Sequence, residues 1–92
     1  MIIQYIEWFT EQTYQDVKEF MIAHPGIPDS YEEWQYLKTK QIADLEARGH
    51  TAEKVEVIPH EFAQYCDRMG YSFDIVALRN FVFWKGTKHE SF

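Results

Sequence analysis

Apolar positions along this chain gather into stretches divided by polar, glycine- or proline-bearing breaks. The breaks are HPGIPDS from His24, RGHT from Arg48, MGYS from Met69 and KGTKHESF from Lys85. The first stretch, residues 2–23, opens ambiguously. Ile2, Ile6 and Phe9 recur at helical spacing, yet IIQYIEWF is rich in β-branched and aromatic residues and reads equally as a strand. From Thr13 the pattern predicts a helix, with Thr13 as N-cap, Asp16 in the first turn, and Val17, Phe20, Met21 and His24 on one face until Pro25 stops it.

The second stretch predicts the best-delimited helix. Ser30 followed by Glu33 reads as a capping box, the acids Asp29, Glu32 and Glu33 sit at the positive end of the helix dipole, and Gly49 closes the far end. Its expected apolar stripe is Tyr31, Trp34, Leu37, Ile42 and Leu45, with Tyr36 turned elsewhere. EKVEVIP, Glu53 to Pro59, reads as a strand, and an isolated strand has nowhere to send its backbone hydrogen bonds. Residues 2–9 are its available partner, so a small pairing of 2–9 with 55–58 is expected. Pro59 suits the first turn of a third helix carrying Phe62, Ala63, Cys66 and Met69, which Gly70 ends in a left-handed cap. Ser72 is the expected cap of a fourth helix, Phe73 to about Lys85, joined to the third by a turn short enough to force a helical hairpin or helix-turn-helix.

The expected fold is therefore mainly α: one domain over residues 1–92, about four helices ending in a hairpin, and a small two-stranded β pairing, with 86–92 as a frayed tail. One stretch strains this pattern. In NFVFWKG, Phe81, Val82, Phe83 and Trp84 follow one another, and four successive helical residues spread over about 300° of arc. They cannot share one core, so either the last helix is central or one of its faces is an interface.

Composition sharpens that alternative. Aromatics are 17% of a 92-residue chain, sixteen rings in all. At about 150–250 Å² each they exceed what so small a core readily hides, which favours a partner or a second copy. The single cysteine, Cys66, excludes an internal disulfide and makes a reducing cytoplasm the expected compartment. No apolar run exceeds four residues, far short of the ~20 that a membrane span needs, and MIIQYIEWFT lacks the layout of a signal peptide. The net charge of −6 is confined to residues 1–33, where seven acids face Lys18 alone. Such asymmetry suits approach to a basic surface as well as plain solubility.

The residues offer little chemistry. His24, His50, His60, His89 and Cys66 form neither a helical i, i+4 pair nor clustered ligand pairs, so no metal site is expected. No nucleophile elbow or phosphate-binding glycine loop is present, and Glu32 and Glu33 diverge from a helix start, so neither catalysis nor a cofactor is expected. A recognition helix over 73–85 offers only Arg79, Asn80 and Lys85 to base edges, against an acidic whole, which argues against direct nucleic-acid binding. Protein binding remains. The candidate anchors are Trp8, Tyr36, Phe83 and Trp84, with Glu7, Glu11, Asp16 and Glu19 as acids that steer toward a basic surface, one that in the extreme normally holds nucleic acid. The expected role is a non-enzymatic adaptor or inhibitor; the alternative is a dimeric helix-turn-helix-like DNA-binding regulator.

Overall fold

The computed structural model describes residues 2–21 and 27–88. Strand β1 (Ile3–Trp8) is followed by helices α1 (Glu11–Phe20) and α2 (Tyr31–Ala47), strand β2 (Thr51–Glu56), and helices α3 (Pro59–Met69) and α4 (Ile75–Lys88). The ambiguous opening is thus a strand. It pairs with β2 in parallel, Ile3 opposite Thr51 through Trp8 opposite Glu56, the orientation that a crossover through two helices permits. The mainly α chain with one small β pairing matches the expectation. β2 begins earlier than expected, at Thr51, because Thr51 N–H already reaches Ile2 O at 2.9 Å.

The register fixes which main-chain groups each strand spends on the other. Thr51 N–H donates to Ile2 O, and Val57 N–H to Trp8 O at 2.9 Å. In a parallel ladder this turns the even-numbered residues of β1 toward β2. Ile3 and Glu7 then direct their backbone groups to the opposite side, the outer edge.

Both faces of this two-stranded sheet are covered. Ile6 and Glu7 are consecutive, point to opposite faces, and are both buried. Helix α2 covers one face, its Trp34 ring 5.2 Å from that of Trp8. Helix α4 covers the other, where Phe83 meets the Tyr5 ring edge-on at 6.0 Å. Main-core residues Phe9, Tyr14, Val17, Trp34, Val57, Phe62, Cys66, Leu78 and Phe81 are contributed by every helix and by the residues just after each strand.

Several local expectations are corrected. Thr10, not Thr13, caps α1: its backbone is extended and its hydroxyl accepts from Thr13 N–H, while Thr13 Oγ1 accepts from Thr10 N–H at 2.9 Å. Phe20 is partly exposed and leans on Phe73, ring centroids 5.5 Å apart. His24 and Pro25 lie outside the described residues. On α2, Leu37 is exposed and Lys38 takes its place on the inner stripe, since Lys38 is the residue one turn after Trp34. On α3, Met69 is exposed while Tyr65 packs inward. Asp74, not Ser72, caps α4, accepting from Ala77 N–H at 2.8 Å. The helix then runs on through Lys88, so residues 86–88, expected to fray, are helical; 89–92 lie outside the described residues. Pro59 and Gly70 act as their positions predicted, with Gly70 at φ 71°, and Ser30 caps α2 by accepting from Glu33 N–H at 3.1 Å, the N-cap half of the expected capping box.

Gly86 is the close-approach glycine. A Cβ there would lie 2.7 and 2.8 Å from Tyr5 Cγ and Cε1, and the residue is buried. Although alanine is the better helix former, Gly86→Ala is expected to destabilise the fold by about 1–3 kcal/mol, as overpacking does. Urea unfolding checks this, and Tyr5→Leu in the same background should recover part of the loss.

Candidate functional site

The structure divides the expected partner-binding residues among different fates. Glu7 and Trp8 are taken up by the fold. The Glu7 side chain is 8% exposed and its carboxylate sits 2.5 Å from Lys38 Nζ, so it forms a structural ion pair and is not a steering acid. Trp8 is half-buried against Trp34, with Lys54 Nζ 4.1 Å above its ring. Glu11 and Glu19 are exposed on α1, and the half-buried Asp16 accepts from Gln12 at 3.1 Å. Tyr36 is 64% exposed on the outer side of α2, under Lys40 at 5.9 Å.

The apolar row on α4 splits as its arc requires. Phe81 and Val82 are buried, Phe83 is 62% exposed and Trp84 39%. The helix is therefore central and also presents apolar surface. Phe83 and Trp84 face different neighbours: Phe83 meets Tyr5 of β1, while Trp84 lies against Tyr65 of α3 at 5.4 Å.

Phe83 belongs to a groove of about 640 Å³ along the outer edge of β1. Its floor is the strand from Ile2 to Glu7, one wall is Lys38 and Gln41 of α2, and the other is Arg79 and Phe83 of α4. Ile2, Ile3 and Phe83 are all exposed large apolar residues, and Val76, seven residues before Phe83 and so on the same side of α4, is exposed too. Lys38 comes from the helix on one face of the sheet and reaches Glu7, whose side chain points to the other. It therefore crosses the edge and closes the groove at the Glu7 end, a familiar guard on a strand edge. The first half of β1 stays open: Ile2, Ile3 and Gln4 are exposed. The outer edge of β2 is guarded in its turn by Lys85, whose ammonium donates to Glu56 O at 2.8 Å.

A second concavity, of about 340 Å³, lies between α3 and α4 beside Trp84. Burial, then the neighbouring Tyr71, raises the Tyr65 phenol there above its ordinary value, so it stays a neutral hydroxyl. Burial also pushes the Cys66 thiol up to about 11, with Asp74 adding to the effect, and the side chain is fully enclosed. A thiol so placed is no nucleophile at neutral pH. Tyr14, whose hydroxyl donates to Pro28 O, is raised to about 12 by burial and then by Glu33 and Asp29. Among the described residues, no group of three potential metal ligands comes together, and no helix is long and apolar enough to cross a membrane.

Sequence reasoning missed Ile3 and Lys38. Ile3 carried a signal only through strand parity, which needs the register, and Lys38 only through its one-turn spacing from Trp34. Comparison with protein-family models, curated proteins and solved structures finds no match.

Proposed function

We propose that this chain is a non-enzymatic protein-binding module that seats an extended segment of its partner beside the first half of β1, with Phe83 as the apolar anchor. The observation that carries the reading is the contiguity of exposed Ile2, Ile3 and Phe83 with an outward-turned strand edge. Such an edge gives affinity through main-chain hydrogen bonds and selectivity through flanking side-chain pockets. The exposed acids of α1, Glu11 and Glu19, stand apart from this groove and serve to speed approach to a basic partner. An adaptor or an inhibitor would both work this way. The outward side of α4 surrounds Arg79 and Asn80 with Val76 and Phe83, so no specific observation favours the DNA-binding alternative.

The test uses Ile3→Pro. The Ile3 N–H points away from β2, and proline is tolerated at the first residue of a strand, so the fold should survive within about 1 kcal/mol. Strand addition should not. In affinity capture from the source cell, a partner held by the native chain should be lost on Ile3→Pro and on Phe83→Ser but kept on Tyr36→Ala. A partner lost on Tyr36→Ala and kept on the other two contradicts the reading.

A further inference from the structure

The cleft between α3 and α4 carries a surplus of positive charge on an acidic protein. Glu61, Tyr65 and Arg68 line it from one side of α3, and Trp84, Lys85 and Lys88 from α4. Three cations thus meet one carboxylate on a protein of net charge −6. The carboxylate is already used, since Lys85 Nζ lies 2.7 Å from Glu61 Oε1. Arg68 is exposed and makes no ion pair among the described residues, while Lys88 Nζ rests 4.9 Å from the centre of the Trp84 ring.

The spacing of these groups matters more than their number. Glu61 and Arg68 are two turns apart on one side of α3, about 10 Å, with Tyr65 between them. Lys85 marks the Glu61 end through its ion pair, so the unused cation of α3 and those of α4 bracket an apolar floor made by Tyr65 and Trp84, whose rings are 5.4 Å apart. From this arrangement we infer that the cleft is a second docking site, independent of the β1 edge, for an acidic peptide segment whose apolar side chain lies on Trp84 and Tyr65 while flanking carboxylates meet Arg68 and Lys88. A carboxylate suits Arg68, whose planar fork offers two parallel donors. Single-stranded nucleic acid is the weaker fit. Two available cations, Arg68 and Lys88, track only a short piece of phosphate backbone.

The probe is an acetylated, amidated pentapeptide of four glutamates around one phenylalanine, titrated into the ¹⁵N-labelled chain, with its glutamine counterpart and a short oligouridylate as comparisons. The glutamate peptide is expected to move the Trp84 indole N–H and to lose affinity by about tenfold or more in Arg68→Glu/Lys88→Glu, whose circular dichroism stays native. Arg68→Gln, a milder change at an exposed site, should weaken it in the same direction. The proposal is overturned if the Trp84 resonance does not move at millimolar peptide, if the glutamine peptide binds equally well, or if shifts gather on α1 or along β1. Tighter binding of the oligouridylate also overturns it and makes the cleft a nucleic-acid site. Shifts along β1 would place the peptide at the edge instead; the other outcomes do not bear on Ile3→Pro, which tests the edge reading separately.

Discussion

Phe81→Ala is expected to destabilise the fold by about 3–5 kcal/mol, whereas Phe83→Ala, two positions further along the same helix, should cost about 1 kcal/mol or less. The difference follows from what each ring touches. Phe81 is wholly buried, with the rings of Phe62 and Tyr65 at 5.6 and 5.4 Å. Phe83 is mostly in solvent and meets Tyr5 at its edge. Urea midpoints of the two variants decide the matter. Equal losses would mean that the whole apolar row packs into one core, and Phe83 would then say nothing about binding.

Lys38→Met should be about as damaging, at about 3–5 kcal/mol, because it strands the Glu7 carboxylate in a buried position without its cation. Glu7→Gln alone should also destabilise, leaving the ammonium of Lys38, whose side chain is 21% exposed, beside a neutral amide. The double variant Glu7→Gln/Lys38→Met removes both charges and should regain much of the loss, since exchanging a buried pair for neutral groups is often close to neutral. A double-mutant cycle measures that coupling directly. Additive losses would show that the two side chains do not depend on each other. Because Lys38 also crosses the strand edge, its removal should lengthen the open part of the β1 groove.

What the sequence made legible were features written into adjacent residues. Ser30 bonding to Glu33 N–H, Pro59 in the first turn of α3 and left-handed Gly70 each act within a few positions of themselves. The pairing of the N-terminal stretch with β2 was legible by elimination, since each strand lacked any other partner. What escaped depended on partners far along the chain. Glu7 looks like one more surface acid until β1 is known to be covered on both faces, and its cation is 31 positions away in sequence. Trp8 looks like a free anchor until Trp34 is seen against it. A wholly apolar inner stripe would turn Leu37 inward, but α2 spends an inner position on Lys38 to reach Glu7. The division of Phe83 and Trp84 between two surfaces was within reach, because about 100° separates successive helical residues. Which surface each served was not, since that needed β1 on one side of α4 and α3 on the other.

The most direct test of the central claim is photo-crosslinking in the source cell with benzoylphenylalanine placed in turn at Phe83 and at Tyr36, two aromatics of nearly equal exposure on different helices. If the β1 edge is the docking surface, the Phe83 probe joins a defined partner protein through one short segment, Ile3→Pro abolishes that adduct, and the Tyr36 probe gives none. Adducts from the Tyr36 probe alone, or a Phe83 adduct indifferent to Ile3→Pro, would contradict it.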